Sequence, residues 1–237
     1  MNENKGRMWG VLVHLGMNQW RDHVQEMKPK GCWSRVPEVI LRHMSEQYCA
    51  ADHVRFDEAV WREVSVVYAR EGVNTIVLDL GEAVAYPSHP ELAVRGSWSV
   101  DKLRAELARL RGMGFEVIPK LNFSSTHDAW LGDYHRMLST PDYYRVCSDV
   151  IRDVCEMFGG PRLFHIGFDE ERASSRDHNA MIVVRQGELW WHDLLFMIGE
   201  VEKHGARPMM WVDYLVKESG RSGVFGRLPK SVLVQPW

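Results

Sequence analysis

Six short runs rich in β-branched and aromatic residues, at 8–14, 75–80, 116–122, 163–168, 208–213 and 232–237, punctuate the chain, with amphipathic stretches between most of them. Apolar runs of this length read as buried strands, and helical periodicity between them reads as crossover helices, so the pattern predicts six parallel βα units. Phe56, Val60, Val64 and Val67 recur at helical spacing, with Asp57 and Glu58 in the first turn and Gly72 just past the end. Ser99 is a fair N-cap for a helix whose stripe is Leu103, Leu107 and Leu110, and Gly112 and Gly114 close it. Stretches 143–158 and 188–204 supply two more helices. No linker or low-complexity break interrupts the chain, so residues 1–237 are expected to form one domain.

Alternation along a strand sorts side chains onto two faces from the order of residues alone. In the fourth run Phe164, Ile166 and Phe168 share an apolar face suited to helices, whereas His165, Gly167 and Asp169 share the other. The split recurs: Asp79 lies on the face of Thr75 and Val77, Lys120 goes with Asn122, Trp211 with Asp213, Gln235 with Trp237, and His14 follows Leu12. In each run the polar members collect at the C-terminal end. The long connections, at 16–53, 81–98, 124–140 and 171–187, all follow strands, so the elaborated loops share one end of the sheet. Polar groups on several strand ends around one mouth define a (β/α)8-type TIM barrel. A doubly wound sheet is disfavoured because no G-x-G-x-x-G follows a strand. About 230 residues are used by six units, so the barrel is expected to be incomplete, with open edges at the first and sixth strands.

At residues 165–171 three carboxylates, Asp169, Glu170 and Glu171, stand where a strand gives way to a loop. Adjacent carboxyls resist joint ionisation, which suits an acid beside a helper anion and hence glycoside cleavage. The segment His165, Gly167, Asp169, Glu170 reads H-x-G-x-D-E. Gly114-Phe115-Glu116-Val117-Ile118-Pro119-Lys120 precedes it, and Trp211-Val212-Asp213 and Val234-Gln235-Pro236-Trp237 follow it. Together, over residues 55–237, these elements resemble the catalytic barrel of glycoside hydrolase family 20, the β-N-acetylhexosaminidases. The resemblance implies substrate-assisted retaining hydrolysis of terminal β-linked N-acetylhexosamine, with Asp169 orienting the 2-acetamido group and Glu170 as general acid. It further implies a supporting role for His165 and a sugar pocket lined by Trp211, Asp213 and Trp237. Two positions depart from the family: Phe168 stands where a second glycine is usual, and Lys120 where an acid is usual.

The expected site is therefore Asp169 and Glu170 as catalytic residues, with His14, Asp79, Lys120, Asn122, His165, Trp211, Asp213, Gln235 and Trp237 around the sugar, and no metal or cofactor. Lys120 is expected to pair with Asp79 or Asp169; the alternative is a Schiff-base lysine. Other readings are a non-catalytic carbohydrate-binding barrel and a metal-dependent sugar isomerase or lyase, the latter using His14, Asp79, Glu82, His127 and Asp169. Simple helix capping by the three carboxylates is the plainest reading of all. Ten tryptophans stand out; burial is the usual explanation, stacking on sugar rings from a cleft the other, and Trp98 and Trp130, in strand-to-helix loops, are expected to meet ligand, whereas Trp190 and Trp191 are expected to pack. Tyr86-Pro87-Ser88-His89-Pro90 could form one wall.

With 29 Lys and Arg against 32 Asp and Glu, the net charge of −3 gives no sign of the basic surface that nucleic acid requires, and no nucleic-acid partner is expected. No run is long enough for a membrane span and no signal-peptide pattern opens the chain, so the sequence as given reads as cytoplasmic, a longer secreted precursor being the alternative. Cys32, Cys49, Cys147 and Cys155 are expected to be ordinary thiols. A carbohydrate is the expected partner, and a second copy could cover the open edges.

Overall fold

The computed structural model describes residues 7–22, 35–171, 183–218 and 224–236. Six strands, β1 (Gly10–His14), β2 (Thr75–Asp79), β3 (Glu116–Lys120), β4 (Leu163–His165), β5 (Arg207–Trp211) and β6 (Leu233–Gln235), form one sheet in the order β1-β2-β3-β4-β5-β6. Every pairing is parallel. The helices are α1 (Glu38–Tyr48), α2 (Glu58–Arg70), α3 (Val100–Gly112), α4 (Pro141–Phe158), α5 (Gly187–Lys203) and α6 (Asp213–Glu218). The sheet curls into a partial barrel. Residues of β1 and β6 line the same cleft, and among the described residues each edge strand pairs on one side only.

Ser99 caps its helix as expected, and Asp57, read from sequence as a first-turn residue, is the N-cap of α2. Asp57 accepts from the amides of Ala59 and Val60 at the start of α2, and Ser99 from that of Lys102 in α3. Gly159, at φ +71°, ends α4 in the left-handed conformation that glycine adopts without steric cost. Helix α1 lies in a stretch that reads as loop from its sequence. Its Val39 and Ile40 are exposed and Leu41 is buried.

Register converts alternation into layers. The row His14, Asp79, Lys120, His165 runs across four strands, because His14 pairs with Asp79, Asp79 with Lys120, and Lys120 with His165. Val77, Ile118 and Leu163, one step below it, form a small inner cluster with Met209, which pairs with His165, and Leu233 packs against that cluster. The alternate residues Ile76, Leu78, Val117, Phe164 and Met210 face outward into the large core shared with the helices. Trp190 and Trp191 belong to that core, as expected. Trp98 and Trp130 do too, which overturns their assignment to ligand: both are buried, the Trp130 indole donating to the carbonyl oxygen of Asn122 at 2.9 Å. The 86–90 segment packs away from the barrel mouth, with Ser88 bonded to Asp153 and His89 set between Glu91 and Asp149. Cys49, Cys147 and Cys155 are free, buried thiols; Cys32 lies outside the described residues.

Candidate active site

Strand β4 leaves its ladder three residues before the carboxylates. Gly167, Phe168 and Glu170 all have positive φ, at +74°, +66° and +50°. Glycine is obligatory at the first of these: a Cβ on Gly167 would lie 1.9 Å from Asn122 Oδ1. Left-handed backbone in two non-glycine residues beside a cleft is conformational strain that the surroundings must hold in place. These bends turn Asp169 inward while Phe168 and Glu171 are buried on the outer side.

Asp169 is surrounded by donors. Its Oδ1 accepts from Asn122 Nδ2 at 2.8 Å, its backbone oxygen accepts from the hydroxyls of Ser124 and Thr126, and His127 Nδ1 lies 3.8 Å from the carboxylate. Burial by itself raises its pKa, but His127, Lys120 and the Asn122 hydrogen bond outweigh it and hold the carboxyl below the ordinary aspartate value. Glu170 is more open, its side chain 37% exposed with Oε2 3.6 Å from His127 Nε2, and its backbone amide donates to Asp213 Oδ2 at 3.0 Å. His127 thus touches both acids. Sequence spacing offers no partner for it beyond the metal alternative.

A cavity of about 260 Å³ opens between these groups, lined by Leu12, His14, Gln19, Trp20, Lys120, Asn122, His127, Asp169, Glu170 and Trp211. His14, Lys120, Asn122 and Trp211 therefore reach the cavity together with both carboxylates. Asp79 sits behind them. Its Oδ2 receives the Lys120 ammonium, Gln19 Nε2 at 2.8 Å and His14 Nδ1 at 3.1 Å, so Lys120 is the ion-paired lysine expected. Burial opposes ionisation of Asp79, but Lys120 and His14 hold its carboxyl far below the usual range. His165 is fully buried, its ring 4.7 Å from that of Trp211 and its Nδ1 accepting from the Gly167 amide at 3.0 Å. Burial first, and the Lys120 charge next, lower its pKa to about 3, so the imidazole is neutral.

Asp213 contacts the site through the Glu170 amide. Gln235 lines the neighbouring cleft, of about 380 Å³, which Trp211 and Leu12 also border. Trp237 lies outside the described residues. Glu171 is buried against Arg185, a residue that no sequence pattern singles out. Of the metal set, Glu82 is committed to the amides of Met17 and Asn18, and among the described residues no group of three or more His, Cys, Asp or Glu side chains is placed to hold a metal ion. No described helix is long and apolar enough to cross a membrane.

No family model matches the chain, and no curated protein matches it. Solved structures do. A chitobiase of Flavobacterium johnsoniae matches with a TM-score of 0.60 and 22% identity, over 79% of this chain and 32% of its own. The GH20 exo-β-N-acetylglucosaminidase of Vibrio harveyi, in complex with N-acetylglucosamine, matches with a TM-score of 0.58 and 16% identity, over 79% and 36%. The N-acetyl-β-hexosaminidase of Streptomyces plicatus, in complex with thio-NAglucal, gives 0.60 and 17%, over 79% and 40%. At such identities the likeness is one of fold: the sheet and its helices follow part of the barrel of the β-N-acetylhexosaminidases, as the H-x-G-x-D-E segment leads one to expect. The chain spans between 32% and 40% of the length of these structures.

Proposed function

We propose that the barrel mouth belongs to a glycoside hydrolase that removes terminal β-linked N-acetylhexosamine by substrate-assisted, retaining catalysis. The observation that carries this reading is the placing of Asp169 and Glu170 on one cavity in different environments, one enclosed by donors and held ionised, the other open to the cavity. Two carboxyls with separate environments can take separate roles.

In this mechanism Asp169 accepts a hydrogen bond from the substrate's 2-acetamido N–H. That orients the acetamido oxygen toward the anomeric carbon and offsets the positive charge that develops as the oxygen attacks. Glu170 gives its proton to the departing glycosidic oxygen, and after the leaving group is gone it takes a proton from the water that opens the cyclic intermediate. An ionised Asp169 is what the first role requires, and Asn122 and His127 supply the contacts that keep it so. Trp211 and Trp20 offer flat faces to a sugar ring, and His14 and Lys120 offer polar contacts to its hydroxyls.

The test is Glu170→Gln with an aryl N-acetylglucosaminide whose phenol is a poor leaving group, so that protonation cannot be bypassed. Loss of about 10²–10⁴-fold in kcat is expected, the span typical of general acid catalysis. Unchanged turnover removes the assignment. A second reading, sugar binding without cleavage, draws on the fixed ammonium of Lys120 in the mouth where the family carries an acid. Calorimetry with N-acetylhexosamine oligomers separates the two, since binding without turnover favours the second.

A further inference from the structure

Arg185 is fully buried, and its guanidinium gathers groups from three parts of the chain. Nε donates to one oxygen of Glu171 and Nη2 to the other, each at 2.7 Å; Nη2 also donates to the Phe123 carbonyl at 2.6 Å, and Nη1 donates to Asp193 of α5 at 3.2 Å. The planar group also lies over the ring of Phe168, 4.7 Å from its centroid, and that ring meets Trp190 edge-on at 5.7 Å. Glu171 further accepts from the amide of Ser125 at 3.4 Å.

These contacts bracket the catalytic pair. Phe168 and Glu171 are the residues immediately before and after Asp169 and Glu170, and both are fastened on the outer side of the sheet by the same guanidinium. Phe123, held by that guanidinium too, lies between Asn122 and Ser124, both of which bond Asp169. The strained φ values at Phe168 and Glu170 need such a restraint, and a bidentate, stacked arginine provides direction as well as charge. We infer that Arg185 is a positioning residue: by clamping Phe168, Glu171 and the Phe123 carbonyl it holds Asp169 and Glu170 over the cavity. The inference rests on the roles proposed above for those two acids.

The experiment is ¹³C NMR titration of the Asp169 carboxyl in the wild type and in Arg185→Lys, alongside thermal melting and hydrolysis of the aryl N-acetylglucosaminide. The charged and titratable groups around Asp169 are Lys120 of β3, His127 of the following loop, His165 of β4 and Glu170, with Asp213 on the Glu170 amide; none is altered by the substitution. A lysine keeps the charge and loses the fork and the stacking, so Asp169 is expected to drift from Asn122 and His127 and its midpoint to rise by about one pH unit. kcat is expected to fall about 10²-fold with KM nearly constant, as a displacement of about 1 Å suffices to produce.

A folded variant with an unmoved midpoint and unmoved kcat overturns the inference. Partial unfolding alone lowers apparent kcat without shifting the midpoint, and that outcome overturns it as well. Should Arg185→Lys not fold, Phe168→Leu decides: it removes the ring beneath the guanidinium, leaves the ion pairs, and is expected to shift the midpoint the same way by less. Absence of turnover in the wild type would count against the glycosidase reading, while the titration still decides the clamp.

Discussion

The sector of sheet from β2 to β4 and the sector formed by β1 and β6 share one topology and differ in what stands behind each inward-pointing side chain. Every residue of β2 and β4 is buried and only Glu116 of β3 is partly open, whereas β1 and β6 have no fully buried position. Leu12, inward-facing at the register of Val77, is 39% exposed where Val77 is 6% exposed, because no strand flanks β1 on its far side among the described residues. The enclosed sector can therefore hold charges only in compensated sets, such as Lys120 with Asp79, and it can hold Asp169 in one orientation. The open sector carries Gln235, which borders the cleft between β1 and β6 together with the buried Trp211 of β5.

If enclosure governs, the largest effect of any substitution falls at Lys120. Lys120→Met leaves Asp79 buried with only His14 and Gln19 as partners, and breaking a buried pair in this way costs about 3–5 kcal/mol. The low end is expected here because those two contacts remain. Urea unfolding of the single variant and of Lys120→Met with Asp79→Leu is the check: the double variant should recover most of the loss. Equal stability of the single variant and wild type would mean that the lumen is wet at Lys120.

Gly167→Ala comes next. The left-handed backbone alone costs a non-glycine residue about 1–3 kcal/mol, and the new methyl would also drive Asn122 off Asp169. Loss of stability together with a raised Asp169 midpoint in NMR titration is expected. A variant that loses stability while the midpoint stays put would show that Asn122 does not depend on the missing Cβ.

How far the sequence can carry these conclusions follows from the same contrast. Alternation locates the inward residues, because Asp79, Lys120, His165 and Trp211 each end their strand and the periodicity of the runs survives the folded register. It fails where the chain leaves regular geometry. Composition extends β4 to Phe168, but the regular strand ends at His165; inter-strand bonds persist at Ile166 and the Gly167 carbonyl, where left-handed backbone begins. Phe168 nonetheless faces the outer core, so parity assigns its side correctly while the strand assignment overshoots. Trp98 and Trp130 escape the sequence reading because their rings pack on Phe56 and Tyr86, residues of other connections, a property that loop position does not encode. Arg185 is invisible to it: its partners are Glu171, Phe123 and Asp193, and no local pattern links the first two of these to position 185.

A smaller, pH-dependent effect in the enclosed sector comes from His165. Its folded pKa of about 3 lies below the ordinary value of 6.5, so between those limits the unfolded chain binds a proton that the folded chain does not. Its contribution is complete above pH 6.5 and is lost progressively as pH falls toward 3, at up to about 1.4 kcal/mol per unit. From about pH 7 to about pH 5 the loss is expected to be about 2 kcal/mol. His165→Gln, which cannot titrate, should remove that share of the decline in urea-unfolding free energy over the same interval. An identical pH slope in the two proteins would place the imidazole in contact with water.

The open sector should answer with almost nothing, and that is its diagnostic value. Leu12→Thr and Val234→Thr alter side chains that are 39% and 36% exposed, and substitutions at such positions ordinarily stay within about 0.5 kcal/mol. Both residues border the apolar cleft between β1 and β6. If that cleft is free in solution, the two variants should melt close to wild type, and melting should not depend on protein concentration in either. If a second copy covers the edges, the same substitutions remove apolar area from a contact. The wild type should then gain thermal stability with concentration and the variants should gain less, because association stabilises by mass action. A dilution series of melting curves therefore tests whether the two sectors differ in the assembled protein or only in the isolated chain. The enclosed-sector variants are the control, since their losses come from the interior and should be the same at every concentration.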